Sequence, residues 1–383
     1  MLGLPKTALD ITKFDPKRSI TRAFTVTMSS KNFLDKIGIW EMLASRAEAI
    51  WDETGGLLEF GDKKTPLGYI VDEGLLGHCL DEKTTEAKHE FQNVKIQHIE
   101  QDKEFVYVTL EDDTKIKTRL LVACDGARSK VAQLVCPSSV SRDYHMSALS
   151  VVVKTESTER HVAYQKMTNE GIVALLPIGP QLYSLIWTTK TDILDRFNSP
   201  ETLVEKINDI LTKEKGVGTG FVSRSVQELY MAIQPGSIAS ASSHPQIQIK
   251  SFESTKVIYP LHFKVLTNFA IGRVAFAGDS AHRLLPITGH GLNLGLGDVE
   301  LLSNLISATY IRKGNLHDCS KLLSRYNRDR LLSSTKVAVL TTALKHIYID
   351  DSPLTRFAST GMSLLTRSSQ IKKKLINISR YEL

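Results

Sequence analysis

RVAFAGDSAHRLLPITGHGLNLGLGD, residues 273–298, decides the reading of this 383-residue chain. It opens as a short apolar strand and stops at Gly278-Asp279. A carboxylate at the carboxyl end of such a strand points into the crevice where open α/β sheets bind ligands. Its oxygens only accept hydrogen bonds, which suits the hydroxyls of a sugar or sugar alcohol. A short way on, GHGLNLG (289–295) supplies glycines that let the backbone approach a flat ring closely. The helix expected after it has unpartnered N–H groups in its first turn and the positive end of its dipole. Both suit carbonyl oxygens and negative charge. Taken singly, Gly-Asp is often a plain turn and a Gly-rich loop is often structural. Strand, carboxylate, proline, Gly loop and helix in this order are far more specific. His282, inside the unit, either packs and hydrogen-bonds beneath the site or transfers a proton, packing being the commoner role.

Further upstream, LLVACDGARSKV (120–131) reads as another strand turning into a helix. Asp125 and Gly126 are its most specific members, because an Asp there organises the turn through neighbouring backbone N–H groups. Arg128 and Ser129 are candidates to orient phosphate-binding groups, and Cys124 reads as a buried small hydrophobe. Apolar spacing of three and four predicts a helix over 29–47, and a further helix is expected over 74–88. Short strands are expected at 57–60, 69–71, 94–99, 105–110 and 116–122. From 144 to 187 the pattern is β-rich, with polar or Gly/Pro turns, which suggests consecutive antiparallel strands. Residues 193–231 read as mainly helical, 257–261 and 269–277 as strands, and 291–311 as a strong helix, with a largely helical remainder.

Bulk properties exclude several classes. The net charge of +6 is mild and spread along the chain, with no basic stripe or module for nucleic acid. The four cysteines show no CxxC pair or ligand spacing, so neither a metal site nor a disulfide framework is expected. No apolar run approaches the roughly 18 residues of a bilayer span. Residues 1–21 read neither as a signal peptide nor as a transit segment, since Asp10 and Asp15 interrupt them.

The 273–298 segment resembles the second flavin-binding motif of class A flavin-dependent aromatic monooxygenases, and most closely the branch that hydroxylates ubiquinone precursors. The likeness extends along nearly the whole chain. Residues 22–40 resemble that branch's R-x-x-x-V…L…G-x-W segment, GYIVDEG (68–74) its early turn, and GIVALLPIGPQLYSLIWTT (171–189) its substrate-domain hairpin. YPL at 259–261 and the helical tail are similar too, and 120–131 resembles the family's DG motif.

The resemblance implies FAD as cofactor. Asp279, following Gly278, would hold the ribityl chain, and Gly289, Gly291, Leu292 and Asn293 would line the pyrimidine end. Pro286 would lie against the flavin where oxygen adds. His290 stands where the branch usually has Gln, and Leu285 where a His precedes the proline; both read as tuning the reacting end. Asp125 and Gly126 would lie beneath the pyrophosphate, although Ala123-Cys124 and Ala132 depart from the DG pattern. Arg22 would reach the dinucleotide, its other reading being a solvated surface arginine.

The fold class implied is α/β (α+β). A Rossmann-like FAD-binding domain would be assembled from 1–50, 68–142 and 263–320. An antiparallel substrate sheet would come from 51–67 and 143–262, and a helical region from 321–383. Nothing before Arg22 fits the strand–GxGxxG–helix unit that holds the adenosine half of FAD, so an N-terminally incomplete domain is expected. A truncated gene model, a splice variant and a genuine short protein all fit that expectation.

The activity implied is ring hydroxylation of a polyprenyl-hydroxybenzoate-type ubiquinone precursor, with oxygen as co-substrate. The alternative is a catalytically impaired short isoform that binds partners in a ubiquinone-synthesis complex. The family also implies a ferredoxin-type electron donor and a peripheral position on the matrix side of the mitochondrial inner membrane. Residues 354–383, with Lys372–Lys374, read either as a membrane or partner contact or as a packed helix with a basic face.

Overall fold

The computed structural model describes residues 22–44, 47–50, 68–85, 94–156, 163–168, 170–197, 199–212, 247–285, 289 and 291–348. The expected strand at 57–60, the helical reading of 213–231, Pro286, His290, the segment before Arg22 and the tail at 354–383 lie outside them.

Strand β1 (Ala23–Thr27) leads directly into helix α1 (Met28–Lys36), whose N-cap is Thr27, its hydroxyl accepting from the Ser30 N–H at 3.2 Å. The single helix expected over 29–47 is broken. Gly38, with φ of +77°, turns the chain and α2 (Trp40–Ala44) starts afresh. Glycine populates that left-handed conformation without the steric cost a Cβ imposes. Phe33 and Leu34 on α1 and Trp40, Met42 and Leu43 on α2 are buried. Then come β2 (Glu48–Ile50), β3 (Gly68–Asp72) and α3 (Glu73–Thr85), with β3 central in the sheet order β1-β3-β2. The Asp72 carboxylate accepts from the Leu75 N–H at 2.8 Å and so caps α3.

An antiparallel three-stranded sheet follows: β4 (Ile96–Gln101), β5 (Val106–Leu110) and β6 (Lys115–Thr118). Val106, Val108 and Leu110 point to one buried face at the strand period of two. The strand expected over 116–122 is two strands, β6 and then β7 (Leu121–Ala123), which pair in different sheets. After β7 come α4 (Lys130–Val135), β8 (Ser139–Thr155), β9 (Tyr164–Thr168), β10 (Gly171–Gly179) and β11 (Leu182–Lys190), then α5 (Thr191–Leu194) and α6 (Pro200–Thr212). The chain continues through β12 (Ile249–Phe252), β13 (Val257–Leu266), β14 (Ala270–Ile271), β15 (Val274–Phe276), a 3-10 turn (Gly278–Ser280), β16 (His282–Arg283), α7 (Gly291–Lys313) and α8 (Ser320–Tyr348). The strand expected over 269–277 is a hairpin turning at Gly272, whose φ is +59°.

The chain divides into two compact units. The first comprises Met1–Glu90, Ala148–Tyr259 and Arg356–Glu382. In it β8, β11, β10 and β9 lie side by side in that order, with β12 also on β8. Leu203, Ile207 and Ile210, at helical spacing on α6, share a core with Val173, Leu175, Tyr183 and Trp187. Asn208 ties α6 to β12, its amide bonding the Ile249 carbonyl and N–H at 2.9 and 2.8 Å.

The second unit comprises Phe91–Ser147 and Pro260–Thr355, with Leu383. It holds the β4-β5-β6 sheet and the sheet β14-β15-β7, in which β15 and β7 run parallel. Its core gathers Phe269, Phe276, Leu302, Leu322 and Tyr326. The architecture is therefore mixed α/β, with a curled antiparallel sheet and a helical C-terminal part, as the sequence predicts.

Candidate functional site

The site grows out of the parallel pair β7–β15. Because the strands run the same way, with Phe276 opposite Ala123, the segments that follow them leave the same edge of the sheet. One segment carries Asp125-Gly126 and the other Gly278-Asp279. Two bonds fasten their bases together: the Ala277 N–H donates to the Ala123 carbonyl at 3.0 Å, and the buried Ser280 hydroxyl donates to that carbonyl at 2.6 Å.

Three glycines here leave their Cα faces open. A Cβ at Gly126, Gly278 or Gly291 would meet nothing within 4 Å, and Gly126 and Gly278 have φ of +78° and +61°. Gly295 does the opposite: a Cβ there would stand 3.3 Å from the Gly278 Cα, so its absence lets α7 press against the turn. Asp279 is exposed, and its carboxylate makes no hydrogen bond or ion pair with any described residue. Gly291 and Leu292 open the first turn of α7, while Asn293 is buried and reaches back to donate to the Gly289 carbonyl at 3.4 Å.

The donor set is thus a free acceptor-only carboxylate, open glycine backbone and a helix N-terminus. It matches ribityl hydroxyls and the polar edge of a flavin in chemistry, so the residues present fit FAD.

The DG segment is bound up with its own helix. Asp125 accepts from the Val131 N–H at 3.1 Å, and the buried Ser129 caps α4 by accepting from the Ala132 N–H at 2.9 Å. Ser129 is therefore spent on capping, whereas Arg128 is exposed. Cys124 is exposed rather than buried, because β7 ends at Ala123. Its thiol pKa is raised, first by the surrounding protein and then by the carboxylates of Asp298 and Asp125.

Arg22 belongs to the other unit. Its guanidinium lies 5.0 and 5.1 Å from the ring centroids of Phe24 and Tyr259, and it pairs with Glu73 at 3.5 Å. It is half-buried and already partnered, not a free solvated cation.

Beneath the Gly278 turn lies a buried cluster in which His282 hydrogen-bonds under the site, as the sequence favours, while Asp298 and Arg330 carry no signal in the motifs. Asp298, with no exposed surface, accepts from the Gly278 N–H at 2.8 Å and from His282 Nε2 at 2.7 Å through one oxygen. Its other oxygen accepts from Arg330 Nε. Because a carboxylate only accepts, the bond assigns the proton of His282 to Nε2. Arg330 also donates to the Leu294 carbonyl on α7 at 3.0 Å. One helical turn earlier, the buried Tyr326 donates to the Phe276 carbonyl at 2.7 Å. Its pKa is pushed up by burial, then by the Asp298 charge. Among the described residues no cluster of His, Cys, Asp or Glu is arranged to hold a metal.

The chain matches the family described as the FAD binding domain over residues 11–223 and 237–341. It is 27% identical over 382 residues to the human mitochondrial ubiquinone biosynthesis monooxygenase COQ6, covering 93% of this chain and 81% of the human protein. Among solved structures it is similar to PqsL of Pseudomonas aeruginosa, a probable FAD-dependent monooxygenase. That match has a TM-score of 0.66 and 16% identity, and covers 90% of this chain and 89% of PqsL. HpxO of Klebsiella pneumoniae, solved with FAD and uric acid, shares the fold with a TM-score of 0.62 and 14% identity, covering 94% of this chain and 88% of HpxO.

Proposed function

We propose that this chain, which belongs to the FAD-binding family of class A flavin-dependent aromatic monooxygenases, hydroxylates the ring of a polyprenyl-hydroxybenzoate-type ubiquinone precursor. The observation that carries the cofactor site is the free Asp279 carboxylate, set beside open glycine backbone at the end of a parallel strand pair. The substrate class rests on the human relative, whose name makes it a ubiquinone biosynthesis enzyme.

FAD, when bound, would supply the redox chemistry of a monooxygenation, in which two electrons from a donor and one molecule of oxygen give the ring hydroxyl and water. The protein's part is positioning and electrostatics. Asp279 accepts hydrogen bonds from the ribityl hydroxyls. Gly289, Gly291, Leu292 and Asn293 line the pyrimidine end, where the first turn of α7 complements negative charge on the reduced ring. Asp125 and Gly126 would lie beneath the pyrophosphate; Arg22 is the family's further candidate for the dinucleotide. Pro286 and His290, outside the described residues, are the family's candidates for the reacting end, His290 there in place of an amide.

By the family resemblance, residues 1–50, 68–142 and 263–320 would belong to the FAD-binding domain, 51–67 and 143–262 to the substrate domain and 321–383 to a C-terminal region, a division that differs from the two compact units, since the stretch before Glu90 groups with Ala148–Tyr259. Electrons come from a ferredoxin-type donor, and the enzyme works peripherally on the matrix side of the mitochondrial inner membrane, within the ubiquinone-synthesis complex. The mitochondrial designation of the human relative supports that location. No described helix is long and apolar enough to cross a membrane, which is compatible with peripheral attachment.

The test begins with colour. Purified protein should be yellow with stoichiometric FAD; a folded, colourless protein that takes up no FAD would overturn the proposal. Asp279→Ala should weaken FAD about ten- to a hundredfold, since a charge-assisted hydrogen bond contributes roughly 1.5–3 kcal/mol. Feeding phenolic precursors to a strain lacking its own ring hydroxylase, with this chain supplied, checks the substrate through the quinone precursor that disappears.

A further inference from the structure

We infer that Asp298 and Arg330 are positioning residues for the cofactor site, locking the turn that presents Asp279 onto the first turns of α7. The inference rests on the reading of Asp279 as the FAD ligand. It starts from where the contacts of Asp298 come from. The Gly278 N–H belongs to the 3-10 turn after β15, His282 to β16 and Arg330 to α8, while Asp298 itself sits on α7. One buried carboxylate therefore joins the turn, β16 and α8 to α7.

The Gly278 N–H belongs to the Ala277–Gly278 peptide, one peptide before the one that leads into Asp279. Gly278 has a glycine's backbone freedom, with φ of +61° and open space before its Cα. Left to itself, that peptide would rotate and carry the Asp279 side chain with it. The bond to Asp298 fixes its plane on one side of Gly278, and the Ala281 N–H, donating to the Gly278 carbonyl at 2.9 Å, holds the next peptide, which leads into Asp279. Arg330 closes the arrangement from the far side, bonding both Asp298 and the Leu294 carbonyl of the helix that carries Gly291, Leu292 and Asn293. Two further glycines make room for it. Gly295 admits Gly278, and a Cβ at Gly297 would stand 3.4 Å from Arg330 Nη1.

Stability alone does not account for an ion pair here. A buried pair is commonly no better for the fold than apolar residues of the same volume. What an apolar replacement lacks is an acceptor for the Gly278 N–H and a charge that orients it. Asp298 thus acts through Asp279, and Arg330 acts through Asp298. A residue in the C-terminal helix is in this way part of the cofactor site.

The experiment uses the full chain and reads FAD binding rather than turnover. Apoprotein of wild type and of Asp279→Ala, Asp298→Asn, Arg330→Met and Arg330→Lys is titrated with FAD, following quenching of flavin fluorescence at low temperature. The visible circular dichroism of bound flavin is recorded, and each apoprotein is melted. Asp298→Asn and Arg330→Met should each weaken FAD about tenfold or more and alter the visible dichroism. The double variant should bind no more weakly than the worse single one, as expected for one coupled unit. Arg330→Lys, which keeps the charge but loses the fork, should fall between and serves if the bolder variants do not fold. Arg273→Lys, a buried arginine away from the turn, should lower the melting temperature while leaving FAD affinity and dichroism unchanged. Wild-type affinity and dichroism in Asp298→Asn or Arg330→Lys, alongside weakened Asp279→Ala, would overturn the positioning role alone. Unchanged affinity in Asp279→Ala would instead overturn the reading of Asp279 on which it rests.

Discussion

Replacing Arg273 by Met should cost the second unit much of its stability without touching the candidate cofactor residues. Arg273 heads β15 and is only 6% exposed, yet no acidic side chain among the described residues pairs with it. Its charge is balanced by backbone carbonyls. Nε donates to Lys103 O at 2.7 Å, and Nη1 donates to Arg119 O at 2.9 Å and Leu316 O at 3.4 Å. Nη2 also donates to the carbonyls of Lys103 and His317. Those acceptors lie in the β4–β5 connection, the β6–β7 connection and the α7–α8 connection, so one side chain fastens three segments far apart in sequence.

A hydrogen bond from a charged donor contributes about 1.5–3 kcal/mol, but bonds sharing one side chain do not add. Guanidinium desolvation also opposes them. Each buried carbonyl left without a donor costs about 1–3 kcal/mol, so Arg273→Met, which strands several, should cost about 3–5 kcal/mol. A unit of this size loses about 2–4 °C per kcal/mol, so its melting transition should drop by about 6–20 °C. Arg273→Lys should lose roughly half as much, because an ammonium is a point donor and cannot span acceptors on several sides. Thermal melts followed by circular dichroism read both. If Arg273→Met melted within about 2 °C of wild type, those carbonyls would be finding water equally well, and the stapling argument would fail.

Two further outcomes follow from the titrating groups. Asp318, before α8, accepts from the Ser320 hydroxyl at 2.6 Å and N–H at 3.1 Å, with Lys313 Nζ at 3.3 Å, and is held at about 2 against its usual 3.8. A depressed carboxyl stabilises the fold above its unfolded value and loses that contribution as pH falls, so Asp318→Asn should flatten the acid limb of stability between about pH 4 and 2; identical limbs in the two proteins would contradict this. Maleimide at neutral pH should modify the exposed Cys124 and Cys136 and spare the buried Cys319 and Cys79, the last raised to about 11 by burial and then by Glu82. FAD should slow the labelling of Cys124, which lies beside Asp125; peptide mapping that found Cys79 labelled as fast as Cys124 would count against the described burial.

Much of this was legible in the sequence because it is local. A strand closing on Gly-Asp, and a Gly loop opening a long helix, occupy neighbouring positions, so order and spacing alone indicate them. The β-rich run at 144–187 announced itself the same way, through hydrophobic alternation cut by Gly and Pro turns. Errors came where one residue redirects the chain. At Gly38 and Gly272 a positive φ divides a continuous apolar pattern into two elements, and the apolar residues on either side look alike before and after the turn. Strand breaks at 119–120 are hidden for another reason. The Arg119 carbonyl is drawn to the Arg273 guanidinium, a contact across 154 residues of chain.

The Asp298 cluster marks the boundary of what local reading reaches. Asp298 closes the very stretch that identifies the fold, yet shows no role there, whereas His282, inside it, makes the hydrogen bond beneath the site that the sequence favours. An acidic residue on a helix is by default a solvated one, since burying a lone carboxylate is strongly unfavourable. What reverses that default is the partner, and Arg330 lies 32 residues further along, in a helix whose sequence is dense in Arg and Lys. On α8, Arg325 and Arg328 are exposed while Arg330 is 6% exposed, and only their angular position on the helix separates them. The helical period supplies a partial signal: Tyr326 and Arg330, four apart, share the buried face with Leu322, Leu323 and Val337. A charged residue in phase with an apolar stripe needs buried partners, backbone carbonyls for Arg273 and a counter-charge for Arg330. In this unit the carboxylate that meets the need also holds the backbone of the turn on which the candidate cofactor ligand stands.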